Sequence, residues 1–212
     1  MADRTSLEAL TELLAKAPER QFAESVEVAV NIKELDLADP KNRIEDDIPL
    51  PNGRGKPVKI VLFGSAEMSQ KVKGVADLTV APAQMDELFK DKKSAKKLIA
   101  QYDFFLAEAP LMPVIGRRLG VVLGPRGKMP RPIPPGSDPT NLITALKRSI
   151  RIRSKGKRTF HASLGIRTMP AEALAQNLDA VLGRIVAKLE RGRTNVESVY
   201  VKTTMGPAVR VW

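Results

Sequence analysis

The sequence predicts an α/β protein in two parts: a split α+β domain built on an antiparallel sheet, and an α/β domain inserted into it. Three observations carry this. Near both ends of the chain, ESVEVAVNI and ESVYVKTT alternate polar and apolar residues, as a strand does with one face in the core and one in water. The middle instead holds short apolar runs separated by helical stretches, the pattern of a parallel sheet covered on both faces. The third is order: the character changes near residue 65 and returns after Gly156. The expected domains are therefore 1–65 plus 157–212 and, between them, 66–156, with joints at Gly64-Ser65 and Lys155-Gly156-Lys157.

Taken in order, the first element is a helix over Ser6 to Lys16, with Leu7, Leu10, Leu13 and Leu14 on one face and Pro18 stopping it. The strand ESVEVAVNI turns Val26, Val28, Val30 and Ile32 inward and Ser25, Glu27, Ala29 and Asn31 outward. A loop, DLADPKNRIEDD, and a turn, PNGRGKP, follow. KIVLF, ADLTV, YDFFLAEA and VVLG read as buried strands, with AQMDELFKDKKSAKKLIAQ as a helix among them and PTNLITALKRSI as the helix that closes the insert. RTFHASLGI is the next strand. Residues 171–190 form a long helix with Leu174, Leu178, Val181 and Ile185 in one stripe, between Pro170 and Gly192. ESVYVKTT and AVRVW finish as strands.

Charge narrows the function. Met1 to Gly116 holds 16 basic and 19 acidic residues, whereas Arg117 to Trp212 holds 19 basic and 5 acidic. Seven cations and no acid lie between Lys147 and Arg158. So lopsided a basic half favours a polyanionic partner, of which nucleic acid is the commonest. The chain has no cysteine, hence no disulfide and no thiolate ligand, and a reducing cytoplasm is expected. No run of 18 apolar residues exists to span a membrane, and the N-terminus lacks an apolar signal core. A single histidine, His161, rules out a multi-histidine metal site, and no paired-carboxylate pattern suggests catalysis. No cofactor, metal or catalytic residue is expected. Six Phe, two Tyr and one Trp give little material for base stacking, so recognition by shape, phosphate and 2′-hydroxyl contacts fits better.

The stretch GVVLGPRGKMPRPIPP asks for a decision. A Walker loop requires glycine, four residues, then Gly-Lys-Ser/Thr; here Val122 stands at the first position and Met129 at the last. No dinucleotide fingerprint occurs either. What remains is Gly124-Pro125-Arg126-Gly127, either a tight exposed turn or a Gly-x-x-Gly loop of the sort that clamps an RNA backbone.

RQFAESVEVAVNI, LPNGRGK, DFFLAEAPLMPVIGRRLGVVLGPRGKMP and SVYVKTTMGPAVRV, in that order, resemble the landmarks of the L-one family of large-subunit ribosomal proteins, which bind RNA at the mobile side stalk. The match runs through nearly the whole chain, and its compact length is similar to the archaeal branch. The resemblance implies a split α+β domain with a Rossmann-like insert. It implies large-subunit rRNA, the ribosome, exit-site tRNA and the chain's own mRNA as partners, with the free protein a monomer that represses translation. Carried over by position, the rRNA surface takes Phe22, Ser25, Glu27, Ser198, Thr203, Thr204, Met205 and Gly206, and Lys202 shares the face of Ser198 and Thr204. A carboxylate such as Glu27 repels phosphate but accepts hydrogen bonds from 2′-hydroxyls or a guanine edge, which gives selectivity. The insert is expected to contact RNA through Arg117, Arg118, Gly124, Arg126, Gly127 and Lys128. One departure stands out: the family often has a basic residue after Gly165, but here Ile166 precedes Arg167, which leaves a contact there open. His161, Lys157 and Arg158 are expected to be structural or peripheral. The rival readings are a nucleotide-dependent enzyme on the parallel sheet and an RNA chaperone held by charge alone.

Overall fold

Apolar residues at every second position of 26–32 bury one strand face only if an apolar layer lies across from it, and two helices supply that layer. The computed structural model describes residues 5–37, 39, 42–72, 74–85, 92–154 and 156–212. In chain order the elements begin with α1 (Ser6–Lys16), β1 (Ser25–Ile32), β2 (Glu45–Pro49), β3 (Ile60–Phe63), α2 (Ala66–Lys71), β4 (Leu78–Val80) and α3 (Lys92–Gln101). They continue with β5 (Phe104–Glu108), α4 (Met112–Arg126), β6 (Arg131–Ile133) and α5 (Thr140–Lys147). Last come β7 (Ser149–Arg153), β8 (Thr159–Ile166), α6 (Ala171–Lys188), β9 (Val196–Thr203) and β10 (Ala208–Arg210). They form two compact units, Met1–Lys56 with Arg148–Trp212, and Pro57–Lys147.

In the first unit the strands lie in the order β10-β9-β1-β8, each pair antiparallel. Val26, Val28, Val30, Val199, Val201 and Leu164 point to one side, where they are buried with Leu10 and Leu13 of α1 and Leu174, Leu178, Val181 and Ile185 of α6. Each such side chain contributes roughly 1.5–3 kcal/mol relative to exposure. Helix α1 is entered through Thr5 and Glu8, which cap each other reciprocally. The ribbon β2–β7 adds Ile48, Ile150 and Ile152 to the same core.

In the second unit the strands lie in the order β4-β3-β5-β6, all parallel. Strand alternation divides its core. Val61, Phe63, Phe105 and Ala107 pack with Ile99, Ile115, Leu119 and Leu123. Ile60, Leu62, Phe104 and Leu106 pack with Met68, Ile143 and Leu146 on the other face. The sheet is thus covered on both sides.

Several elements differ from the sequence reading. VVLG is not a strand but lies in the C-terminal half of α4, because Ile115, Leu119 and Leu123 recur at helical spacing and outweigh the glycines between them. The fourth parallel strand is β6, whose Pro132 sits on an edge strand, where the missing N–H costs little. Glu45 to Asp47, expected in the loop DLADPKNRIEDD, belong to β2, which pairs with β7. The helix expected through Ile150 stops at Lys147. Consequently β3 belongs to the second unit and β7 to the first, so the divisions fall at Lys56–Pro57 and Lys147–Arg148 rather than at 65–66 and 156–157. Ser65, expected at a joint, is the N-cap of α2. Residues 86–91 of the expected helix, Lys155 of the second joint and positions 38, 40 and 41 of the expected loop lie outside the described residues.

Candidate nucleic-acid interface

Among the described residues of the first unit, the second face of the sheet stays largely half-exposed, and the register fixes which residues stand there. Opposite one another lie Ser198, Asn31 and Thr159; then Tyr200, Ala29 and His161; then Lys202, Glu27 and Ser163. Arg210 and Ala208 extend the second and third rows onto β10. At one end the Asn31 amide donates to the Ser198 hydroxyl at 2.8 Å and its oxygen accepts from Thr159 at 2.7 Å. Ser198 is nearly buried there. Glu27 is half-exposed, and no hydrogen bond or ion pair holds its carboxylate among the described residues. A carboxylate left with all its acceptor sites open on a polar face suits donors from a ligand.

The other end gathers the remaining candidates. Ser25 N–H donates to the Thr204 hydroxyl at 3.1 Å, and Thr204 N–H donates back to the Ser25 carbonyl at 3.0 Å. This pair, 179 residues apart in sequence, holds the start of β1 against the end of β9. Beyond it stand two large apolar side chains in water, Phe22 at 51% exposure and Met205 at 61%. Single exposed apolar residues need no explanation, but two flanking one polar cluster offer a platform for a base or sugar. From Ser198 to Thr204 the strand spans roughly 20 Å at 3.4 Å per residue.

Residues that the sequence reading did not select hold this end in shape. The buried Glu24 carboxylate accepts the Met205 N–H at 3.1 Å. Arg20 Nε lies 3.7 Å from Glu24 Oε1, and Arg167 Nη1 lies 3.8 Å from Oε2. The Arg167 guanidinium also donates to the carbonyls of Ala17 and Pro18, at the end of α1. The displaced basic residue after Gly165 therefore serves as an internal clamp, and Ile166 packs under the loop at Gly55. Glu24 carries no sequence signal, since a charged residue beside a strand reads as surface, and the sequence marks Arg167 only as a displaced basic residue.

The candidates are not all equivalent. Thr203 follows Val199 and Val201 on the core side of β9 and is fully buried, so it cannot touch a ligand on the open face. Its hydroxyl sits where a Cβ on Gly206 would come within 2.2 Å, and this makes glycine necessary at that turn. His161, expected to be structural or peripheral, is exposed on the open face.

In the second unit the expected loop takes a different local form. Gly124 and Arg126 are the last turn of α4, and Gly127 ends it at φ 67°. Gly127 N–H bonds to the Gly124 carbonyl and Lys128 N–H to the Leu123 carbonyl, the closing pattern of a helix with a left-handed glycine. A helix C-terminus presents carbonyls and partial negative charge, the wrong polarity for phosphate. Lys128 donates to the carbonyls of Ile99 and Tyr102 and Arg126 to that of Lys96, tying down the end of α3. Gly127 is buried. Arg117 and Arg118 are exposed, but they lie two to three turns earlier on α4, so the six residues form no single cradle.

The densest basic run is also partly neutralised. Arg151 grips Asp47 through two hydrogen bonds, at 2.8 and 3.1 Å, and Arg153 pairs with Glu45 across the ribbon. Asp46 faces Arg184 at 2.8 Å and Lys188 at 3.2 Å. Burial pushes the Asp46 carboxyl up, but hydrogen bonds and attraction from Lys188 and Arg184 outweigh it and hold it below the usual range.

A split antiparallel unit with an open polar sheet face, interrupted by a parallel α/β unit, defines a class of proteins whose candidate ligand surface is a sheet rather than a cleft. Comparison with known proteins makes the assignment specific. Residues 13–207 match the Ribosomal protein L1p/L10e family, and the chain belongs to that family. It is 53% identical over 203 residues to the large ribosomal subunit protein uL1 of Thermoplasma acidophilum, covering 96% of this chain and 94% of the relative. Identity is 50% over 212 residues, the whole of both chains, to uL1 of Methanocella arvoryzae. With uL1 of Archaeoglobus fulgidus it is 48% over 206 residues, 97% of this chain and 96% of that one. The chain falls in the archaeal branch of the family.

Proposed function

We propose that this protein is a non-catalytic constituent of the large ribosomal subunit in the cytoplasm, and that the open face of its first unit binds large-subunit rRNA at the side stalk. The observation that carries the reading is the meeting of Phe22, Ser25 and Glu27 with Thr204, Met205 and Gly206 at one end of an otherwise polar sheet face. Family membership and the names of the relatives support the ribosomal part. Ser25, Thr204 and Glu27 supply donors and acceptors for 2′-hydroxyls and base edges, Phe22 and Met205 supply apolar contact, and Lys202 supplies charge. Arg117 and Arg118 remain as second-unit contacts; Arg126 and Lys128 are assigned to holding α3 instead.

The same reading extends to regulation and to tRNA. A monomer in excess of its rRNA site would occupy a similar fold in its own mRNA through the same face, and so repress translation. On the ribosome, a stalk protein of this kind would assist release of tRNA from the exit site. The experiment is sedimentation of tagged protein with large subunits, beside the double variant Glu27→Ala/Thr204→Ala. The wild type should travel with the subunit and the variant should remain at the top of the gradient; equal association of both would remove the face from the function. A nucleotide-dependent enzyme is disfavoured by the helix C-terminus at Gly127. ATP or GTP should accordingly leave the melting temperature unchanged.

A further inference from the structure

We propose that Lys56 is a phosphate-gripping residue of this interface, presented by a loop that the buried Asn177 fastens to the sheet; the proposal rests on the RNA-binding reading above. LPNGRGK, residues 50–56, is the loop that follows β2. In the structure its middle is tied to α6 and β8. Asn177, wholly buried, accepts the Asn52 N–H at 3.0 Å and donates to the carbonyls of Gly53 at 3.0 Å and Leu164 at 2.8 Å. The Asn52 side chain donates in turn to Ala173 and Gln176. Gly55, at φ 69°, lies so close to Ile166 that a Cβ would come within 2.6 Å of its side chain. The backbone leading to Lys56 is therefore fixed on both sides.

That fixation brings the exposed Lys56 ammonium to 2.8 Å from the Ser25 hydroxyl, beside the Ser25–Thr204 pair. The anchor matters chemically. Arg151, Arg153, Arg184 and Lys188 are each held by a carboxylate, which cancels much of their charge. Lys56 is held by a neutral hydroxyl and has no ion pair among the described residues, so its charge is retained while its position is set. An ammonium has three donors, and one is used on Ser25. A compact point charge with free donors suits a phosphate oxygen. It also offsets the repulsion that Glu27, two residues along the same face, exerts on an approaching backbone.

The test titrates the full chain against the stalk fragment of large-subunit rRNA and a scrambled RNA of equal length, over a series of salt concentrations. Lys56→Ala should weaken both complexes by about three- to tenfold and lower the slope of log K against log salt by about 0.7–0.9, the effect of one lost phosphate contact. Lys56→Arg should keep the slope. The control is Lys16→Ala, which removes an equally exposed charge from α1, where it pairs with Glu12; it should leave the slope alone. Melting temperatures should agree across the set. An unchanged slope in Lys56→Ala, or an equal change in Lys16→Ala, overturns the proposal. The preference of the wild type for the stalk fragment over scrambled RNA judges the underlying reading separately.

Discussion

The Glu24 carboxylate, withdrawn completely from solvent, accepts the backbone N–H of Met205 at 3.1 Å. One buried acid at the entry to β1 thus fixes the turn after β9, and with it the exposed methionine of the candidate site. Glu24→Ala removes that acceptor and leaves Arg20 and Arg167 without their shared carboxylate, a loss of about 2–4 kcal/mol by analogy with broken buried pairs. Glu24→Gln keeps an acceptor oxygen and should lose less. Denaturant unfolding gives the stability, and titration of stalk RNA on the folded fraction gives the affinity. The expected order for both is wild type, Gln, Ala; an Ala variant that binds normally once folded would show that the turn needs no positioning.

Gly206 makes a second, sharper case. A methyl there would meet the Thr203 hydroxyl at 2.2 Å, so Gly206→Ala should destabilise by about 1–3 kcal/mol, the usual range for overpacking. Thr203→Ala removes the obstacle. In the double variant Gly206→Ala/Thr203→Ala most of that loss should return, a coupling that thermal unfolding of the four proteins measures.

Acid should loosen the tie between β2 and α6. The Asp46 carboxyl is held below its ordinary value by Lys188 and Arg184 against an opposing effect of burial. A depressed folded value means that the stabilisation is fully present above the unfolded value, near pH 4, and is lost as pH falls through the folded one. Arg184 is more than half exposed, so the contribution is small, about 0.2–1 kcal/mol. Asp46→Asn should cost that amount at pH 7 and progressively less as pH falls below about 4, read from unfolding midpoints across that range.

Lys128 separates structure from binding in the second unit. Lys128→Ala removes the ammonium that joins the carbonyls of Ile99 and Tyr102, so melting should fall while RNA affinity changes less than about twofold, the scale of a non-contacting surface site. Lost affinity at unchanged melting would restore a contact role.

Much of this was legible beforehand, and the failures share a cause. The alternation Val26, Val28, Val30 set the open face of β1 correctly, and Ser25 and Glu27 stand on it. Buried residues at every fourth position, Ile115, Leu119 and Leu123, are equally visible, but VVLG by itself reads as a buried strand, and the polarity of a helix end cannot be seen in a Gly-x-x-Gly spacing. Charge was counted by segment, whereas ribbon pairing set Arg151 against Asp47, 104 residues away. Glu24, Lys56 and Asn177 act through contacts spanning 13 to 181 residues, which no local pattern records.

The measurement that tests the central claim most directly is the affinity of the wild-type chain for the stalk fragment of large-subunit rRNA, beside scrambled RNA of equal length, at physiological salt. A preference of at least ~10³-fold, reduced by Glu27→Ala on the stalk fragment alone, is the expected result for a face that reads a folded RNA. Equal binding that fades with salt for both RNAs would contradict it and leave only the attraction of a basic protein for phosphate.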